Sequence, residues 1–74
     1  MPVVTIRTMK GALTDELRSE IHKKVAEVLI NTEGRGNKDF ARYVTVIIDE
    51  QVPENFSIGG QMANQDFVRK VSSV

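Results

Sequence analysis

The sequence predicts an α+β fold: a single β-α-β unit with parallel strands, followed by a C-terminal hairpin. Three observations carry this. A run of β-branched residues begins almost at the first residue, an amphipathic helical stripe follows a glycine, and a second, more continuously apolar run follows a charged stretch containing glycines. Strand, helix and strand joined over this length make a parallel pair with a right-handed crossover.

Val3-Val4-Thr5-Ile6-Arg7-Thr8-Met9 is the first strand, rich in side chains that suit a pleated surface, and Gly11 ends it. Thr14 stands as the helix N-cap, with Asp15 and Glu16 complementing the positive end of the dipole. Leu17, Ile21, Val25, Val28 and Leu29 form the stripe of one buried face. Glu20 and Lys24 lie four apart on the opposite side, in the favourable order for an exposed ion pair. His22 borders the stripe and reads as a surface or interface residue.

Residues 31–41 carry two glycines and four charges and read as a mobile loop. Gly34-Arg35-Gly36 within it lacks the strand-then-helix setting of a phosphate-binding loop. Tyr43-Val44-Thr45-Val46-Ile47-Ile48 is the second strand, apolar enough to be covered on both sides, and Asp49 and Glu50 end it. Those two carboxylates are adjacent and point to opposite faces if the strand continues, so they cannot work as a pair from one subunit. Pro53 and Asn55 mark a turn, and Ser57-Ile58-Gly59-Gly60 a short hairpin. The whole chain, 1–74, is one domain, with 61–74 read as a tail or as a short helix around Phe67 and Val68.

At 74 residues the chain has room for one domain, and a monomer this short buries only about 60% of the surface its unfolded chain exposes. The usual remedies are disulfides, a structural metal or assembly. There is no cysteine, and the single His22 has no evident carboxylate partners at ligand spacing, so assembly is the expected remedy. One β-α-β unit also leaves a sheet face and strand edges uncovered, a second reason to expect partners. Ten basic residues balance ten acidic ones, so no net field favours nucleic acid or an anionic membrane. The apolar runs are too short to span a bilayer, and the first residues lack the pattern of a signal peptide. A cytoplasmic location is expected.

Among residues able to carry chemistry, Pro2 comes first. One reading is that the proline simply fixes the chain's entry into the strand. Once Met1 is removed, however, Pro2 presents a secondary amine. In an apolar pocket its ammonium loses hydration and its pKa falls, because desolvation disfavours the charged form. Near neutrality such an amine takes a proton from an enol or an acidic carbon and returns it elsewhere. If Met1 stays on, the nitrogen is an amide and has no basicity.

Pro2 opening a short strand, then the helix, the Val46-Ile47-Ile48-Asp49-Glu50 run and Pro53-Glu54-Asn55-Phe56-Ser57-Ile58-Gly59-Gly60, resembles the 4-oxalocrotonate tautomerase family over residues 2 to about 61. The resemblance implies a tautomerase-type fold assembled as a hexamer, usually a trimer of dimers. It implies keto-enol tautomerisation of a small 2-oxo acid without cofactor or metal. Pro2 matches the general base and Phe56 the aromatic residue that lines the pocket.

Two departures qualify this. The family's arginines after the first glycine and inside the second strand, which bind carboxylate and steady charge on the 2-oxo oxygen, are replaced here by Ala12 and Thr45. A dicarboxylate substrate of the usual kind is thereby in doubt. Arg42, Arg35, Lys38 and Lys10 are the candidate replacements, although solvated surface charge is the more ordinary reading of each. Arg42 is the first choice, because a rigid strand positions a group better than a glycine-rich loop. Three readings stay open: a tautomerase, an inactive or divergent subunit of a hexamer, and a dehalogenase- or hydratase-like lyase of the same superfamily.

Overall fold

The computed structural model of the chain describes residues 1–73. Strand β1 (Val3–Met9) is followed by helix α1 (Asp15–Asn31), a 3-10 helix over Lys38–Tyr43, and strand β2 (Thr45–Gln51). A short 3-10 helix at Pro53–Asn55 leads to β3 (Ser57–Ile58), β4 (Gln61–Met62) and helix α2 (Gln65–Ser72). β1 and β2 pair in parallel from Val3 opposite Thr45 to Met9 opposite Gln51. The expected β-α-β unit and hairpin are both present.

The ends of α1 follow from local chemistry. Thr14 Oγ1 accepts the Leu17 N–H at 3.2 Å, satisfying a donor that the first helical turn leaves free. At the other end the Gly34 N–H donates to the Leu29 carbonyl and the Gly36 N–H to that of Ile30, at 2.9 and 2.8 Å. The expected ion pair forms, with Lys24 Nζ 3.6 Å from Glu20 Oε2.

The stretch 31–41, read as a mobile loop, is instead the end of α1, a tight turn and most of a 3-10 helix. The cause is one close contact. Gly34 is buried, and a Cβ there would stand 2.7 Å from both the Ile30 carbonyl oxygen and the Phe40 ring. Without that Cβ, Phe40 seats against the end of α1, tilted against Tyr43 with ring centroids 6.1 Å apart. The Asn37 side chain caps the 3-10 helix by accepting the Asp39 N–H. Strand two consequently starts later than expected, at Thr45, and runs through Asp49 and Glu50 to Gln51.

The helical face is also rotated from the expected one. Arg18, Ile21, His22, Val25, Ala26, Leu29 and Ile30 are half-buried, whereas Leu17 and Val28 are 45% and 60% exposed. Arg18 belongs to the sheet-facing side because its guanidinium crosses to Glu50, with Nε 2.8 Å from Oε2. Val46 and Ile48 share that face of β2, as alternation requires. The other face carries Val3, Thr5, Arg7, Thr45, Ile47 and Asp49, with Arg7 Nε 3.0 Å from Asp49 Oδ2. Asp49 and Glu50 are thus divided between the two faces, as alternation predicts.

The hairpin turns on Gly59 and Gly60, both at positive φ (61° and 82°), the pattern of a tight two-residue connection. The residues after it form a helix rather than a frayed tail: Asn64 Oδ1 caps α2 by accepting the Phe67 N–H, and Val68 is buried. No helix among the described residues is long and apolar enough to cross a membrane.

The chain encloses very little. Ala63, Val68 and Pro53 are the fully buried side chains among the described residues, and none lies on α1, β1 or β2. Its accessible surface of 5703 Å² is about a quarter larger than a monomer of this mass exposes on average. The radius of gyration, 15.1 Å, compares with about 11 Å for a globule of this length.

Two outcomes are expected. Gly34→Ala should lower stability by about 1–3 kcal/mol, read as a shift in thermal or urea midpoint, because Phe40 and the helix end must part to admit the methyl. Hydrogen bonds from Arg18 hold the Glu50 carboxyl below the usual range, and those from Gln51 and then Arg7 do the same for Asp49. A carboxyl depressed in the folded state contributes stability above its unfolded pKa, which is lost as pH falls through the folded value. Glu50→Gln should therefore flatten the fall in melting temperature below about pH 4, at the cost of a lower plateau near neutrality.

Candidate active site

Proline suits the head of a strand, where its missing N–H takes nothing from the ladder. Pro2 is half-buried there, and its carbonyl accepts the Thr45 N–H at 3.1 Å, tying the chain start to the start of β2. The Met1 amine stands 4.0 Å from Glu33 Oε2, so the chain start also lies beside the turn that ends α1. In that turn and the 3-10 helix after it is a hollow of about 350 Å³, lined by Glu33, Arg35, Asp39, Phe40, Arg42 and Tyr43 among others.

Arg42 lies in this hollow but not on strand two. It is an exposed residue in the last turn of the 3-10 helix, one turn before the strand, because Lys38–Tyr43 wind helically where an extended entry was expected. The rigidity invoked for it comes from Phe40 packed on Gly34, not from the sheet. Of the other cations, Arg35 lines the same hollow. Lys10 lies at the opposite end of the strand pair, where its N–H donates to the Gln51 carbonyl.

Phe56 is not brought to Pro2. It follows the 3-10 helix Pro53–Asn55 beyond the C-terminal end of β2, and its carbonyl accepts the Ala63 N–H at 3.0 Å. Parallel pairing sets Pro2 at one end of the strands and Phe56 past the other, with about 20 Å of strand between. The two positions lacking the family's arginines divide likewise. Thr45 pairs with Val3 beside Pro2, while Ala12 lines an apolar hollow of about 230 Å³ with Met9, Phe67 and Val68 at the far end.

Sequence reasoning missed Glu33 and the hollow itself. Both depend on how the stretch after α1 folds, and nothing periodic in that stretch announces it. Among the described residues no group of three or more His, Cys, Asp or Glu is placed to hold a metal ion.

Comparison with known proteins agrees with this architecture. The family model described as Tautomerase, tautomerase enzyme, matches residues 2–65. A curated relative, Probable tautomerase K2 of Dickeya dadantii (strain 3937), is 32% identical over 65 residues, covering 88% of this chain and 91% of that protein. The crystal structure of YwhB, a homologue of 4-oxalocrotonate tautomerase, superposes with a TM-score of 0.69 at 26% identity, over 82% of this chain and 92% of its own. DmpI from Helicobacter pylori superposes with a TM-score of 0.66 over 99% and 98% of the two chains, and at 20% identity attests the fold. A β-α-β unit followed by a glycine-turned hairpin is a tautomerase-type fold. This chain belongs to the tautomerase family.

Proposed function

We propose that the protein is a cofactor-free tautomerase that interconverts the enol and keto forms of a small 2-oxo acid, with the Pro2 amine as general base once Met1 is removed. The carrying observation is the position of Pro2: second in the chain, tied to β2 through Thr45, and next to Met1, whose amine stands 4.0 Å from Glu33, a residue lining the hollow that contains Arg35 and Arg42. The neutral amine accepts the enol hydroxyl proton as that O–H bond breaks. The enol electron pair shifts toward carbon, and the resulting ammonium delivers the proton there, forming the C–H bond of the 2-oxo acid. Arg42 binds the substrate anion and steadies the charge that develops on oxygen.

Phe56 enters this reading as the wall that keeps a Pro2 amine dry, and it serves the Pro2 of another copy. The separation of the two residues within one chain supports that, as does the uncovered sheet face bearing Val3 and Ile47. A hexamer, as a trimer of dimers, is the assembly the family resemblance suggests.

Intact-mass spectrometry is expected to show a chain beginning at Pro2. Against 2-hydroxymuconate and phenylenolpyruvate, Pro2→Ala should lose about 100-fold or more of the ketonisation rate. Equal rates in the two proteins would reject the Pro2 base and favour the inactive-subunit reading that Ala12 and Thr45 motivate. Mixing Pro2→Ala with Phe56→Ala subunits by unfolding and refolding together should restore activity above either variant alone. No recovery would mean that Phe56 does not act across a subunit boundary.

A further inference from the structure

The apolar hollow of about 230 Å³ lies between the end of β1 and helix α2, at the far end of the strands from Pro2. Met9, Ala12, Phe67, Val68 and Val71 line it, and Thr8 and Ser72 add only hydroxyls. No charged side chain among the described residues lines it.

Specific contacts hold α2 in place. Gly11 stands at φ 99°, in the left-handed region that Arg35, at 54°, alone among the described non-glycine residues shares. A Cβ on Gly11 would lie 3.1 Å from the Gln65 side-chain oxygen, so the missing side chain lets the helix start approach β1 closely. The Gln65 amide donates to the Lys10 carbonyl at 3.5 Å. Asn64 caps the helix, and Val68 is buried beneath it. Phe67 and Val71, one turn apart, are left 36% and 53% exposed. The floor of the hollow is thus fixed while part of its wall is accessible. Ala12 keeps it vacant, because a longer side chain there would extend into it.

Size and continuity decide what the hollow accommodates. Pockets for whole ligands begin at about 300 Å³, whereas an apolar cavity of about 150 Å³ admits a benzene ring. This one therefore takes part of a molecule, a ring or a branched chain. Phe67 also lines a smaller hollow with Ile58, Met62 and Ala63, on and just after the hairpin that follows Phe56. Apolar surface thus continues from the hairpin to α2, on the end of the strands that meets the Pro2 of another copy in the function proposed above. A carboxylate entering the hollow would lose water and meet no cation, which disfavours it.

We propose that this hollow receives the hydrocarbon tail of a 2-oxo acid whose enol end is held at the Pro2 of a second copy, and so selects an aryl or alkyl monocarboxylate over a dicarboxylate. The inference rests on the reading of Pro2 and Phe56 above and adds the tail of the substrate to it. Phe67 and Val71 are then specificity-determining residues. Helix α2 begins at the last residue of the family match, so family membership does not specify this wall.

Two measurements on the oligomeric protein test this. In NMR with 3-phenylpropanoate, an unreactive probe, nuclear Overhauser contacts should join the phenyl protons to the methyl groups of Ala12 and Val71. Propanoate, which has no ring, should give no such contacts. In turnover, Ala12→Leu fills the hollow and should lower the ratio of kcat/KM on phenylenolpyruvate to that on 2-hydroxymuconate by about tenfold or more. Val71→Lys, at an exposed position, should lower the same ratio by giving the distal carboxylate a cation. Absent phenyl contacts, or an unchanged ratio in either variant, would overturn the inference. So would a changed sedimentation coefficient in Ala12→Leu, which would show a neighbouring subunit seated in the hollow. The Pro2 reading fails separately, when Pro2→Ala retains full activity while 3-phenylpropanoate still contacts Ala12 and Val71.

Discussion

The structure depends on one constraint: a chain of 74 residues with no cysteine has too little apolar material to enclose a core alone. Helix α1 covers one face of a two-stranded sheet, yet neither it nor the strands contain a fully buried side chain. Val3 and Ile47 lie bare on the other face. The excess area and the elongated form, 43 Å on its longest axis, have the same origin. A shape so poorly closed is understandable as one part of a larger packed body.

The same constraint determines how a site can be built. Parallel pairing of β1 and β2 separates what enters the first strand from what leaves the second, so Pro2 and Phe56 occupy opposite ends. An antiparallel pair would have placed those two segments at one end and permitted a self-contained pocket. Here the residues beside Pro2 within the chain come instead from the connection that precedes β2. That connection holds its shape through Gly34 and Phe40, a contact of backbone against ring. The electrostatics near Pro2 thus rest on a packing detail outside the sheet.

Much of this was legible in the residues. The first β-branched run, the Thr14 cap, the Glu20–Lys24 pair and the two-glycine hairpin are local signals, and each formed as read. What escaped was everything decided by contact at a distance. The order of 31–41 comes from Phe40 finding the missing side chain of Gly34, which no periodicity reveals. Arg42 was assigned to a strand because the apolar run beginning at Tyr43 was extended backwards, whereas Tyr43 closes a helical turn. The helix face was misjudged because the stripe was drawn from apolar residues alone and left out Arg18, whose long stem and partner Glu50 both belong to the sheet side. The place of Pro2 at the head of the first strand was legible from position, while its distance from Phe56 required the register of the strands.

The left-handed backbone at Arg35 has a consequence for the chain's history. A non-glycine residue there costs about 1 kcal/mol relative to glycine, and a single base change converts many arginine codons to glycine ones. Drift toward a more stable turn is therefore always within reach. If the arginine is retained against that drift, something other than stability holds it, and this turn is where selection for stability would erode that role.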